Sequence, residues 1–258
     1  MSTLGTEQLL AKKFTRLELS DEWSGTMGNL AEVFMIIIYG ESGEGKTEFC
    51  YQLAKELSRF GNVKWMGYET GHAASIQDGV ARNSLKGLPI TWDDPWDEKP
   101  KDKKAIDAFV PPADMPMSKN INANRLFIAL YLQMSKAKSA KYWFLDSADA
   151  TGFTEQQVLW LWAQFKKKKG VIYIAHGEGK KPLKAVSRAI EFYGDAGIVV
   201  KSFIARPLKS RFGGFKPRVV FEDKARELDP LFFEKIDEAN KNQAPKKKKK
   251  EKAPKVTD

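Results

Sequence analysis

Cysteine is almost absent: the 258 residues contain one, Cys50. An internal disulfide is therefore excluded, which suits a reducing compartment. No stretch approaches the about 18 consecutive apolar residues of a membrane span, and Met1–Gly5 begins no signal-peptide pattern. No internal repeat is visible. The expectation is a cytoplasmic protein with no membrane association. A chain of this length holds one large domain or two small ones, with a core that needs no disulfide or structural metal.

Charge is present in excess and unevenly placed. The net charge is +10, and residues 241–258 carry eight lysines against Glu251 and Asp258. Such a tail is too polar and self-repelling to fold, so a disordered arm is expected there. It would hold a polyanion by counterion release, or act only as a solubilising tail. Residues 1–240 are then expected to form one domain.

Glycine is concentrated where it is informative. Gly40-Glu41-Ser42-Gly43-Glu44-Gly45-Lys46-Thr47 reads G-x-x-x-x-G-K-T and follows the apolar run Val33–Tyr39. Phe49, Cys50, Leu53, Leu57 and Phe60 then recur at helical spacing up to Gly61. Strand, glycine loop and helix in that order are what a phosphate-binding loop requires. The glycines let backbone N–H groups converge on one anion, and the helix presents its positive end to the same point. Residues Gly40 to Thr47, with Glu48 behind them, are thus expected to bind a nucleoside triphosphate. Lys46 would reach the β- and γ-phosphates, and the Thr47 hydroxyl would ligate Mg²⁺. Cys50 lies on the apolar side of that helix and is expected to be a buried structural thiol.

Further along, strands and helices alternate, which indicates a parallel sheet with crossovers. Val63–Tyr68 ends at Glu69, Lys141–Leu145 at Asp146, and Val171–Ala175 at His176. Polar residues at strand ends of an open α/β sheet belong to its site. Asp146 would hold Mg²⁺, Glu69 would deprotonate the attacking water, and His176 would contact the γ-phosphate. Residues 75–86 and 126–134 look helical, as does the segment with Val158, Leu161, Trp162 and Phe165. Residues 87–120, with six prolines, read as an irregular insertion whose Trp92 and Trp96 are anchors or base-stacking platforms. Gly177–Lys184 is a mobile basic loop. Late strands at Ile198–Ala205 and Arg218–Glu222 suit an antiparallel hairpin through Gly213-Gly214. Lys209 and Arg211 on that turn would be fingers serving a neighbouring subunit's phosphate, or an ordinary solvated basic turn.

Taken together, Gly40–Thr47, Glu69, Tyr142–Asp146, Val171–His176 and the Lys209–Gly213 turn with Arg218–Glu222 resemble the RecA-like P-loop ATPase core. That superfamily includes RecA/RadA recombinases, DnaB-type helicases and core-only phage recombinase or annealing proteins. The resemblance covers about residues 33–224. It implies an α/β fold, a mainly parallel sheet flanked by helices with a C-terminal antiparallel hairpin. It also implies Glu69 as the catalytic glutamate, His176 in a sensor position, and Lys209 with Arg211 as inter-subunit fingers. Residues 147–156 and 177–190 would stand where the two DNA-binding loops lie, although Ser147–Gly152 is more acidic than such a loop. The implied function is Mg²⁺-dependent ATP hydrolysis, stimulated by single-stranded DNA, in a homo-oligomeric ring or filament. Recombination or replication in a bacterial or phage-infected cell is the expected setting. A helicase motor and a nucleotide-gated loader are the alternatives on the same core.

Overall fold

The computed structural model describes residues 3–97 and 103–243. The lysines at 246–255 and Pro100 therefore lie outside the described residues. Two short helices, α1 (Thr6–Leu10) and α2 (Asp21–Met27), precede β1 (Phe34–Gly40) and α3 (Lys46–Leu57). Next come β2 (Val63–Gly67), α4 (Ala74–Arg82), β3 (Ile90–Asp93), α5 (Lys103–Asp107) and α6 (Ile121–Ser135). β4 (Tyr142–Asp146), a 3₁₀ turn (Ala148–Ala150) and α7 (Glu155–Phe165) lead into β5 (Gly170–Glu178), β6 (Lys181–Pro182) and α8 (Ala185–Tyr193). β7 (Ala196–Lys201), β8 (Ile204–Ser210), β9 (Arg218–Val219), α9 (Glu222–Leu228) and α10 (Pro230–Gln243) complete the order. Among the described residues, no helix is long and apolar enough to cross a membrane.

The sheet runs β3-β2-β4-β5-β1-β7-β8-β9, with β6 attached to β5. From β3 to β7 every neighbour is parallel; β8 and β9 are antiparallel. All seven residues of β1 are buried, as expected for a central parallel strand covered on both faces. Its alternation divides two cores. Phe34, Ile36 and Ile38 pack with Phe49, Leu53 and Leu57 of α3. Met35, Ile37 and Tyr39 face the other way, onto a core shared with Phe127 of α6, Val158 of α7 and Ile190 of α8. α7 starts in a capping box between Thr154 and Gln157, which satisfies two orphan donors of its first turn. Cys50 is fully buried in the first core, and burial pushes its thiol pKa well up.

Three local expectations need correction. Residues 87–120 are not wholly irregular, because Ile90–Asp93 adds strand β3 beside β2 and Lys103–Asp107 is a helical turn. The run between Pro89 and Asp93 is too short to show a period, and pairing with Val63–Met66 organises it. Trp92 lies 5.2 Å from the Trp65 ring, which itself stacks on Phe144 at 5.1 Å, so Trp92 is an anchor. Such pairs contribute about 0.5–1.5 kcal/mol each beyond their buried area. Trp96 is half-exposed, and its indole N–H donates to the Tyr68 carbonyl at 2.7 Å. Secondly, β5 does not stop at His176; it runs to Glu178 and folds back on β6, so 177–182 is a small hairpin. Thirdly, Ile198–Ala205 is not one strand. The chain reverses at Ser202-Phe203, both at positive φ (51° and 56°), and the hairpin is β7–β8. Neither residue is a typical carrier of that conformation, so the turn has no glycine or asparagine to announce it.

Candidate functional site

The loop between β1 and α3 owes its path to two left-handed glycines, Gly43 (φ 81°) and Gly45 (φ 95°). A Cβ on Gly45 would lie 2.7 Å from the Phe203 ring. That contact belongs to a brace: the β7–β8 turn reaches over the loop, with Phe203 N–H donating to the Glu44 carbonyl at 3.1 Å. Ser202 N–H donates to the Glu44 carboxylate. Glu41 and Ser42 are exposed on the loop. Glu48, one residue past Thr47, turns aside to accept from Arg82 at 2.9 Å and Asn83 at 2.7 Å.

The carboxyl ends of β2, β4 and β5 converge on this loop. Register places His176 opposite Gly40, and Asp146 opposite both Gly67 and Ile174. The strand bearing His176 thus lies between the β1 and Asp146 strands. Glu69 N–H donates to the Asp146 carbonyl at 3.0 Å, and His176 Nε2 is 3.3 Å from Glu69 Oε2. Lys46 is buried, with Nζ donating to the Glu41 carbonyl at 2.7 Å. Burial pulls its pKa below that of an ordinary lysine, against the nearby charges of Glu69 and Asp146. Asp146 is buried too; desolvation, reinforced by Glu69 and opposed by Lys46, pushes its carboxyl up to about 7. A carboxyl poised there changes charge at neutral pH, a property concentrated at functional sites.

Lys46, Thr47, Glu69, Asp146, Ser147 and His176 all line one cavity of about 320 Å³. A larger one, about 1000 Å³, opens between β3 and α6 and contains none of them. The smaller cavity is where the titratable groups meet, and it is the candidate site. Ser147 supplies a test of what it would hold. Its hydroxyl is buried and has no hydrogen-bond partner among the protein atoms, so it is open to a polar ligand in the cavity. With the Thr47 hydroxyl and the Asp146 carboxylate it forms a set of hard oxygen donors, facing an ammonium and two left-handed glycines. Among the described residues no cluster of three or more His, Cys, Asp or Glu could hold a metal alone. Two or three protein oxygens with the rest from phosphate and water is the pattern Mg²⁺ takes. The residues fit a Mg²⁺–triphosphate.

Lys209 and Arg211 are elsewhere. Lys209 lies within β8 rather than on a free turn, and its Nζ donates to the Glu191 and Phe192 carbonyls at the end of α8, 2.7 Å each. Arg211 pairs with Asp195 at 3.4 Å, and Asp195 in turn accepts from Met35 N–H. Met35 is the second residue of β1, five before Gly40, and Lys209 pairs with Gly197, which lies opposite Ile37 of β1, so both cations are set back from the loop toward the other end of the sheet. They cannot serve this chain's own site. The segment after Asp146 also differs from an open loop: Ala148, Asp149, Thr151 and Phe153 are buried, and the Asp146–Ser147 peptide is cis. By contrast Lys180, Lys181, Lys184 and Arg188 are exposed beside His176.

Three residues escape a reading of the sequence: Ser147 and Phe203, which line the cavity, and Asp149, which lies outside its lining. Asp149 is buried, accepting from His176 N–H at 2.6 Å and from the Ser187 hydroxyl at 2.7 Å. The acidity of residues 147–152 is the one available signal for it. Phe203 carries none, since its place depends on a turn that only the sheet register defines.

No protein-family model matches the sequence, and no curated protein matches it significantly. Among solved structures, the flagellar accessory protein FlaH from Methanocaldococcus jannaschii is similar. Its TM-score is 0.50 and its identity 16%, over 80% of this chain and 97% of that one. At that identity the likeness is one of fold. With the strand order it shows a RecA-like α/β arrangement, a mainly parallel sheet flanked by helices and closed by antiparallel strands.

Proposed function

We propose that this chain is a Mg²⁺-dependent, RecA-like ATPase that acts on DNA in recombination or replication as a homo-oligomer. The observation that carries the ATPase reading is the meeting of Lys46, Thr47, Glu69, Asp146 and His176 at one cavity beside a glycine loop. Thr47 and Asp146 would hold Mg²⁺, which when bound neutralises charge on the phosphates. Loop N–H groups and Lys46 would position the triphosphate and offset the charge that develops during transfer. Glu69 would take the proton of the attacking water, and His176, 3.3 Å away, would orient the carboxylate. Lys209 and Arg211 would complete a neighbouring subunit's site, because they are out of reach of their own. Single-stranded DNA is the favoured partner, through the exposed Lys180, Lys181 and Lys184. The test is ATP turnover at low salt with and without single-stranded DNA; equal rates would remove DNA from the proposal, and no turnover would remove the ATPase.

A specific observation favours a second reading, a nucleotide-gated assembly or loading factor. The segment after Asp146 is packed into the protein, which leaves less surface for DNA than a motor uses. The fold neighbour is itself described as a flagellar accessory protein. A Glu69→Gln variant separates the two readings: a loader still engages its partner when ATP is bound, whereas a recombinase or helicase motor stalls.

A further inference from the structure

The buried carboxylate of Asp149 touches neither the glycine loop nor the cavity, yet it bridges two elements that the site needs. One oxygen accepts the His176 N–H at 2.6 Å, and the other accepts the Ser187 hydroxyl at 2.7 Å in the first turn of α8. Its carbonyl accepts from Lys184 Nζ at 3.3 Å. Ser187 is fully buried, so solvent does not compete for the bridge. The negative charge also faces the positive end of α8, which has no side-chain cap of its own. A second tie runs from the strand that enters the glycine loop. The Tyr39 hydroxyl lies 2.5 Å from the Glu191 carboxylate and 3.1 Å from the Lys180 carbonyl. At the far end of α8, Lys209 holds the Glu191 and Phe192 carbonyls. One nine-residue helix is therefore fastened to the site at its start and to Lys209 at its end.

We propose that Asp149 is a positioning residue that locks His176 to α8, so that the occupancy of the site reaches the exposed cations of 180–184 and Lys209. This rests on the nucleotide reading above. A shift of His176 that follows a bound γ-phosphate pulls on Asp149, and because the bridge is buried and two-pronged, α8 follows rather than the bridge breaking. A signal arriving at α8 from Lys209 would travel the same route in reverse.

Amide hydrogen exchange on the full-length chain tests this, with Asp149→Ala, Asp149→Asn and Ser187→Ala beside wild type. Alanine removes both acceptors. Asparagine keeps the geometry, since its oxygen accepts from His176 N–H and its amide donates to Ser187 Oγ. Without nucleotide, exchange across residues 177–188 should rise about tenfold in Asp149→Ala and stay near wild type in Asp149→Asn. With Mg²⁺ and a non-hydrolysable ATP analogue, wild type should gain protection both at 40–48 and at 177–188. Asp149→Ala should keep the first and lose the second, with analogue affinity within about threefold of wild type. Unchanged exchange in nucleotide-free Asp149→Ala, or a full nucleotide response at 177–188 in that variant, would overturn the proposal; so would an asparagine variant that behaves like alanine. If the alanine chain does not fold, Ser187→Ala, which cuts only the α8 prong, should show the same separation. Wild type with no protection at 40–48 sinks the nucleotide reading itself, together with the signalling half of this proposal, while the nucleotide-free arm still decides whether Asp149 holds the segment.

Discussion

Asp146 offers a prediction with an unusual sign: replacing it by asparagine should stabilise the protein while crippling the site. In the folded chain its carboxyl is raised from 3.8 to about 7, chiefly by burial. Between those values the folded state keeps a proton that the unfolded state has lost, so stability falls as pH rises and levels off above about 7. At 1.36 kcal/mol per pH unit, the whole cost is about 4 kcal/mol. Asparagine has the same shape and no charge to desolvate, so it escapes that cost. For a chain of this size the gain corresponds to a rise in Tm on the order of 10 °C at pH 8. Most of the gap should develop between pH 4 and pH 7. The assay is thermal unfolding across that range and at pH 8 without nucleotide or metal. Adding Mg²⁺ and ATP should then reverse the ranking, since ligand stabilises only the chain that binds it. Wild-type binding should also release a proton near neutral pH. An asparagine variant that melts at or below wild type at pH 8 would refute the idea that Asp146 is held protonated by burial.

Lys46→Ala should lower ATP turnover by at least about 100-fold, because among the described residues Lys46 is the one lysine lining the cavity and Arg82 is paired with Glu48; full retained activity would sink the loop assignment. Gly45→Ala should cost about 1–2 kcal/mol in left-handed backbone strain, and its Cβ would also strike the Phe203 ring, 2.7 Å away. Adding Phe203→Ala should restore part of the lost nucleotide affinity, and a fully additive double mutant in calorimetry would count against the contact. Removing residues 241–258, with their eight lysines, should flatten the log–log salt dependence of single-stranded DNA binding by up to roughly 6. An unchanged slope would exclude the tail as a DNA contact.

The glycine loop and the strand ends at Glu69, Asp146 and His176 are legible in the sequence because each depends on a local pattern. Gly40–Thr47 is a motif, and each of the three polar residues follows an apolar run, although β5 itself continues to Glu178. The mainly parallel sheet follows from their alternation with helices. What the pattern does not contain is decided by packing across the chain. β3 is four residues long and exists only because β2 offers an edge. The turn at Ser202-Phe203 has no glycine, so a linear reading fuses β7 with β8 and moves the reversal to Gly213-Gly214. Asp149 looks like a misplaced charge until Ser187, thirty-eight residues on, is seen to meet it. Lys209 looks like part of a free basic turn, whereas the end of α8 occupies it.

The β7–β8 turn has a thermodynamic meaning beyond its contacts. Glycine-rich chain is the most entropically costly to order, and a loose loop would have to be organised each time an anion arrives. Here Glu44 is held by two backbone donors from Ser202 and Phe203, and the Phe203 ring closes over Gly45. The ordering cost is met when the protein folds rather than when it binds. A loop prepared in this way should capture triphosphate quickly and with little change in its own backbone, leaving the energy of binding free to move other parts of the molecule.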